Sequence, residues 1–209
     1  MIKLLVVDHH PIIRKGLELL FITSPDIQVI GALDNGEAIF DFLRRNNVDI
    51  IICEIDLPKL NGITALRRLN KEFPHIKVIM FSAQPEEVYA INTIKAGASG
   101  YLSKTANIVT LKEAILKVNE GGVYLSNDLA QRLALGKRVT RSGSYHKKLS
   151  TREIEVLKLL SSGRKNKEIA QELDINEKTV STYKARLFKK LNVTNLIDLV
   201  NQGKQLDIA

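Results

Sequence analysis

Five short apolar runs are spaced along the first 120 residues, and each is followed by a stretch with helical periodicity. Runs that are apolar on both faces are typical of buried strands in a parallel sheet. The runs lie at residues 2–7, 27–32, 48–53, 77–81 and 100–102, and the helical patterns lie at about 11–23, 35–46, 61–74, 85–97 and 107–119. This alternation predicts an α/β domain with an open, doubly wound, five-stranded parallel sheet.

Polar side chains stand where the predicted strands end. Asp8 and His9 follow the first run, Glu54 follows the third, Ser82 the fourth and Lys104 the fifth. In a doubly wound sheet, ligands bind outside the carboxyl ends of the strands. The sequence therefore predicts that these side chains form one pocket.

This set of residues resembles the pocket of a CheY-like receiver domain. That family has two adjacent acids after strand 1, an aspartyl phosphoacceptor after strand 3, Ser or Thr after strand 4 and Lys after strand 5. Ser82 and Lys104 match the pattern, and Tyr101 stands at the aromatic switch position. The D-x-x-x-P spacing to Pro58 implies that residue 54 occupies the phosphoacceptor position.

Two positions depart from the family pattern: residue 54 is Glu instead of Asp, and the second acid is replaced by His9. Asp8 and Glu54 against Lys104 give a net charge of −1, one negative charge fewer than the family pocket. Mg²⁺ binds oxygen ligands, and one of them is lost here. We therefore predict no cofactor, with Mg²⁺ binding weakened or lost and Asp8 the one remaining candidate ligand.

Glu54 is longer than Asp by one methylene, about 1.5 Å, which displaces its carboxylate from in-line phosphoryl transfer. Our hypothesis is that this receiver does not use the usual aspartyl-phosphate switch, and that Glu54 pairs with Lys104 and partly imitates the phosphorylated state. Asp56, in the loop before Pro58, is a rival acceptor expected to face water. The alternative is a conventional phosphorylation-activated regulator in which Glu54 is an engineered phosphomimetic.

His9 allows two interpretations. Neighbouring carboxylates raise the pKa of an imidazole, so a protonated His9 would stand where the metal ion normally lies. A neutral His9, hydrogen-bonded to a neighbour, is the other interpretation. His10 is less informative, because a histidine before proline is common in this loop of the family.

The second part of the chain contains a pair of short amphipathic helical patterns at 168–191, which meet near residues 174–176. On the second pattern, Val180, Tyr183, Leu187 and Leu191 fall on one face. The opposite face and its edges carry cations and small hydroxyls without an acid, a composition suited to a DNA major groove. The predicted DNA-binding residues are Lys178, Thr179, Ser181, Thr182, Lys184, Ala185, Arg186, Lys189 and Lys190.

Residues 149–193 resemble the helix-turn-helix output domain of NarL/FixJ (LuxR-type) response regulators. The elements L-S-x-R-E-x-E-V-L, G-x-x-N-K-E-I-A, K-T-V-S-T-Y-K and K-K-L-N-V occur in order and at the family's spacing. Ser150 and Glu153 form a capping-box pattern at the start of the first helix. The resemblance implies an all-α, four-helix domain at 148–209 and a homodimer on paired half-sites of double-stranded DNA. It also implies a sensor histidine kinase as a possible partner.

The net charge of +8 lies entirely in the second part of the chain. Residues 1–120 hold 14 basic and 14 acidic side chains, whereas residues 121–209 hold 17 and 9. This asymmetry favours a polyanionic partner. We predict a receiver at 1–120 and a linker at 121–147 with a helix near 127–135. The single cysteine, the absence of a run of 18 apolar residues and the lack of a signal-peptide pattern favour a cytoplasmic protein without membrane contact.

Together these features predict a DNA-binding response regulator that controls transcription and is not an enzyme. One alternative, a phosphohydrolase pocket, lacks the nucleophilic Asp and the metal site that such chemistry needs. Another is a protein-interaction module whose basic domain binds a partner other than DNA. A steep salt dependence and a sequence preference would distinguish DNA binding from that alternative.

Overall fold

The computed structural model describes residues 1–134 and 149–205. The chain divides into two compact units, residues 1–136 and 137–209, and each is described by itself. The predicted domain limits at 120 and 148 stay a prediction, because much of the stretch between them lies outside the described residues. Residues 135–147 of the predicted linker, which include its basic segment, lie outside the described residues as well.

The first unit contains a five-stranded parallel sheet with strand order β2-β1-β3-β4-β5. The strands are β1 (Ile2–Val7), β2 (Ile27–Leu33), β3 (Ile50–Cys53), β4 (Lys77–Ser82) and β5 (Gly100–Ser103). All four strand pairs are parallel, as the doubly apolar runs predicted. The predicted fold class is therefore confirmed for this unit.

Helices connect the strands and cover the sheet. They are α1 (Pro11–Phe21), α2 (Ala38–Leu43), α3 (Gly62–Glu72), α4 (Glu86–Lys95) and α5 (Ile108–Asn119), and α6 (Asn127–Ala134) follows them. α2 is shorter than the predicted 35–46 at both ends. At its start, the Asn35 side chain accepts a hydrogen bond from the Ala38 N–H (3.0 Å). Apolar side chains of β1, β3, α1 and α5 form one contiguous core.

The strand register brings the predicted pocket together. Val7 of β1 pairs with Cys53 of β3, so the next residue of each strand, Asp8 and Glu54, lies at the same edge of the sheet. Ser82 of β4 pairs with Ser103 of β5 at that edge. The polar residues that follow the buried strands therefore converge, as expected for parallel strands.

The second unit is helical, with α7 (Thr151–Ser161), α8 (Asn166–Glu172), α9 (Glu177–Leu191) and α10 (Leu196–Gln205). The predicted capping box is present: the Ser150 hydroxyl accepts from the Glu153 N–H, and the Glu153 carboxylate accepts from the Ser150 N–H. Asn176 caps α9 by accepting from the Thr179 N–H at 2.7 Å. Asp174, with φ 52°, makes the tight left-handed turn between α8 and α9.

Candidate receiver pocket and nucleic-acid interface

Two buried carboxylates hold one lysine at the carboxyl edge of the sheet. The Lys104 ammonium lies 2.6 Å from Asp8 Oδ2 and 2.5 Å from Glu54 Oε2. Burial opposes the charged ammonium, but the two carboxylates outweigh it and raise the pKa of Lys104 above its usual value. The predicted pairing of Glu54 with Lys104 is thus present, and the lysine is charged throughout the physiological range.

The second carboxylate oxygen of Glu54 is also fully engaged. Its Oε1 accepts hydrogen bonds from the Ser82 hydroxyl and from the backbone N–H groups of Ile55 (2.5 Å) and Asp56 (3.3 Å). The carboxylate therefore contacts both Ser82 and Lys104, the two pocket groups that match the receiver pattern. The close approach of Gly62 supports this arrangement: a Cβ at that position would lie 2.0 Å from the Glu54 carbonyl oxygen.

Tyr101 is buried, and its hydroxyl donates to the Gln84 carbonyl oxygen at 2.7 Å. Burial, together with the Glu54 carboxylate, raises the pKa of this phenol. The Gln84 side-chain amide in turn donates to Asp56 Oδ2 at 2.5 Å. Asp56 is half-buried and hydrogen-bonded, so it faces water only in part. The cause is a contact with the β4–α4 loop that local sequence does not reveal.

The histidine in contact with the carboxylates is His10. Its Nδ1 lies 2.9 Å from Asp8 Oδ1 and 3.3 Å from Lys104 Nζ. His9 Nδ1 is buried, and within the described residues it has no hydrogen-bond partner. His10, and not His9, is therefore the histidine that contacts the charged groups of the pocket, which its place before Pro11 did not predict. The reason is that the backbone N–H of His10 also donates to Asp8 Oδ1 (2.8 Å), which folds the loop around that carboxylate.

The pocket does not fit the Mg²⁺ ion that the receiver family implies. Lys104 offsets one of the two negative charges and contacts both carboxylates, and both oxygens of Glu54 are engaged by protein groups. Position 9 supplies an imidazole nitrogen, whereas Mg²⁺ requires octahedral oxygen ligands. The family pattern provides three carboxylates for Mg²⁺, and this pocket provides only those of Asp8 and Glu54.

Helix α9 has one buried and one exposed face, as the sequence predicted. Val180 and Leu187 are fully buried (0% exposed), whereas Thr182 and Lys189 are exposed. Six predicted DNA-binding side chains are exposed: Lys178, Ser181, Thr182, Ala185, Arg186 and Lys189. Three others are half-buried: Thr179, Lys184 and Lys190. The exposed face carries three cations and no acid.

The hydroxyl groups of this face are held by their own helix. Ser181 donates to the Glu177 carbonyl (3.0 Å), and Thr182 donates to the Lys178 carbonyl (2.9 Å). Ser181 also accepts from the Asn166 amide at 3.2 Å, which links α8 to α9. The hydroxyl oxygens therefore present acceptor lone pairs outward. Sequence reasoning missed Asn166, although the residue belongs to the G-x-x-N-K-E-I-A element.

Lys190 differs from the other predicted DNA-binding cations. Its ammonium lies 2.7 Å from Glu153 Oε2, and the Glu153 side chain is only 2% exposed. Burial opposes the charge of this carboxylate, but the Lys190 ammonium and the Ser150 groups outweigh that effect and lower the pKa of Glu153. The structure thus gives Lys190 an intramolecular partner in α7, which the helical wheel alone does not show.

Two family models match the chain: the response regulator receiver domain over residues 4–116, and the luxR family of bacterial regulatory proteins over residues 147–202. The response regulator UvrY of Escherichia coli is 32% identical over 202 residues, covering 96% of this chain and 93% of UvrY. The virulence factors putative positive transcription regulator BvgA of Bordetella pertussis is 31% identical over 207 residues, covering 99% of both chains.

A similar solved structure is that of RcsB from Salmonella enterica serovar Typhimurium bound to promoter rprA in the presence of a phosphomimetic. It has a TM-score of 0.76 at 23% identity and covers 96% of both chains, which shows a shared fold. No helix within residues 1–134 and 149–205 is long and apolar enough to cross a membrane. The receiver pocket, the helix-turn-helix unit and these matches together show that the chain belongs to the family of response regulators in which a receiver domain precedes a LuxR-family regulatory domain.

Proposed function

We propose that this response regulator controls transcription by inserting α9 into the major groove of promoter DNA, and that contacts of Glu54 set its receiver in place of an aspartyl phosphate. The observation that carries the DNA-binding part is the division of α9 into a fully buried apolar face and an exposed face of cations and hydroxyls. The receiver part rests on the Glu54 carboxylate, whose two oxygens are bound by Ser82 and Lys104.

The chemistry of α9 assigns different roles to its residues. Ser181 and Thr182 present acceptor lone pairs, which suit the N–H₂ donors of adenine or cytosine in the major groove. Ala185 permits close approach, and Arg186 and Lys189 are placed to meet phosphate. Exposed cations at the start of α8 add to this positive surface: Arg164, Lys165 and Lys167.

Pairing of two DNA-binding units is supported by exposed apolar side chains at the start of α10. Leu196 and Ile197 are 40% and 73% exposed. Such a pair would recognise half-sites about one helical turn apart. A protein of this kind works by binding, so we propose that it is not an enzyme and that it acts in the cytoplasm, where bacterial DNA lies. A sensor kinase remains a possible partner of the receiver.

The DNA-binding proposal is tested by selecting duplexes from a random pool with the full chain and measuring affinity over a range of salt concentrations. Specific binding should weaken steeply with salt, and Lys189→Ala should lower the slope of log affinity against log salt by about one. Thr182→Ala should instead relax the sequence preference and leave the slope unchanged. Binding without any sequence preference would favour the protein-interaction module.

The receiver proposal is tested by incubating the chain with acetyl phosphate and Mg²⁺ and measuring its intact mass. The unmodified pocket should gain no phosphoryl group, whereas a Glu54→Asp, His9→Asp double variant, which restores the family's acids, should gain one. DNA affinity of the unmodified chain should equal that of the phosphorylated double variant and exceed that of its unphosphorylated form. A phosphoryl group on the unmodified pocket would contradict the proposal.

A further inference from the structure

Three potential metal ligands lie together in the loop that joins β1 to α1. The carboxylate of Asp8 and one ring nitrogen each of His9 and His10 lie within 4.8 Å of one another. The two imidazole rings are close neighbours, with centroids 3.8 Å apart. Two imidazoles and one carboxylate form a ligand set that suits zinc and the late first-row transition metals better than Mg²⁺.

The present hydrogen bonds do not satisfy the ring nitrogens of His9 and His10 fully. His9 Nδ1 is buried without a hydrogen-bond partner in the part of the chain that the structure describes. His10 Nδ1 approaches both Asp8 Oδ1 (2.9 Å) and Lys104 Nζ (3.3 Å), and one nitrogen cannot donate to the first and accept from the second at the same time. A buried polar atom without a partner is costly, so His9 Nδ1 would gain by binding a cation. His10 Nδ1 would exchange its present contacts with Asp8 and Lys104 for the ion.

We propose that Asp8, His9 and His10 bind a divalent transition-metal ion of the zinc, cobalt or nickel class. Ligand atoms bind such an ion at about 2.0–2.2 Å, so neighbouring ligands of a tetrahedral site are about 3.3–3.6 Å apart. The three ligand atoms now lie within 4.8 Å of one another, so binding requires them to approach by at most about 1.5 Å. The His10 side chain is 53% exposed and free to make that movement.

Lys104 determines how strongly the ion is held. Its ammonium lies beside Asp8 Oδ2, and it keeps that carboxylate oriented, as residues behind a metal ligand commonly do. The same positive charge repels the ion, because it lies 3.3 Å from the ligand nitrogen of His10. The net charge of −1 from Asp8, Glu54 and Lys104 still favours a cation. The inference goes beyond the proposed function and does not depend on DNA binding.

The test is a titration of the full chain with Co²⁺, followed by visible absorption, with Mg²⁺ as the oxygen-seeking comparison. We expect one equivalent of Co²⁺ to bind with a band characteristic of nitrogen ligands, and excess Mg²⁺ to leave that band unchanged. His9→Ala and His10→Ala should each lower Co²⁺ affinity by at least about tenfold, the minimum typical even of residues that only support a ligand.

The chain has two further histidines, which provide matched controls. His75 is exposed on the first unit, and His146 lies outside the described residues. His75→Ala and His146→Ala should bind Co²⁺ as the unmodified chain does. If either control loses binding, if Co²⁺ fails to bind, or if Mg²⁺ displaces it, the proposal is overturned. Should His9→Ala fail to fold, the Co²⁺ affinity of His10→Ala still tests the proposal, because His10 is exposed.

Discussion

Lys189 and Lys190 are consecutive residues of α9, yet the structure predicts opposite consequences for their replacement. Lys189 is exposed on the face that we assign to DNA. Lys190 contacts the buried carboxylate of Glu153 at 2.7 Å and so joins α9 to α7. Replacing each lysine in turn by Met removes the charge and keeps most of the apolar stem. The two variants are therefore a matched pair that separates binding from folding.

The size of the folding effect follows from the exposure of the two partners. A hydrogen bond to a charged group contributes about 1.5–3 kcal/mol, and its loss leaves Glu153 buried with fewer partners. The Lys190 side chain is 37% exposed, so solvent screens part of the interaction, and we expect a loss of about 1–2 kcal/mol. In a domain of this size that loss lowers the unfolding midpoint by about 5–10 °C.

Two measurements on the full chain test this prediction. Hydrogen exchange, followed on peptides from α7 and α9, should show less protection in Lys190→Met and unchanged protection in Lys189→Met. The salt slope of DNA binding should fall by about one in Lys189→Met and stay unchanged in Lys190→Met. Equal slope losses with unchanged protection in both variants would refute the reasoning, because Lys190 would then contact phosphate instead of Glu153.

Three further predictions concern the two units. Leu187→Ala should destabilise the second unit by about 2–5 kcal/mol through loss of core packing. The measurement is unfolding in urea, monitored by hydrogen exchange, and Ala185→Gly is the comparison at an exposed position nearby. Tyr101→Phe should lower the stability of the first unit by about 1 kcal/mol, because the Gln84 carbonyl loses its donor, and exchange of β5 peptides reports this change. Because the pKa of Glu153 is lowered in the folded state, its stabilising contribution is present above its ordinary unfolded pKa of about 4.3 and disappears as the pH falls through the folded value. The unfolding midpoint of the second unit should therefore drop below about pH 4, and Glu153→Gln should flatten this dependence.

The elements of both units were predictable because their signals are local and periodic. The continuous apolar runs that became β1 and β3 identify buried parallel strands without knowledge of any contact. The carboxyl ends of those strands then place Asp8 beside Glu54 by topology alone. On α9, the spacing of Val180 and Leu187 fixed which side chains are exposed.

Individual contacts between polar side chains were not predictable in the same way. Gln84 binds Asp56, and Lys190 binds Glu153, across separations of 28 and 37 residues. Neither pair belongs to a repeating pattern in the sequence. The partner of a long polar side chain depends on its position in the folded structure, which the periodicity of the sequence does not indicate. The orientation of His10 toward Asp8 is a third case, since it follows from a backbone hydrogen bond within the loop.

The two departures in the pocket, Glu54 and His9, each remove a different requirement for phosphoryl transfer, so neither is interpretable alone. Glu54 contacts Ser82 and the Lys104 ammonium, and the Asp8 carboxylate contacts the same ammonium. Restoring Asp at 54 withdraws one carboxylate from Lys104 but leaves an imidazole at position 9, where Mg²⁺ would need oxygen. Restoring Asp at 9 returns the oxygen but leaves Glu54 in place. Each single change leaves one requirement of the family pocket unmet, so the double variant should recover phosphoryl transfer that neither single change restores.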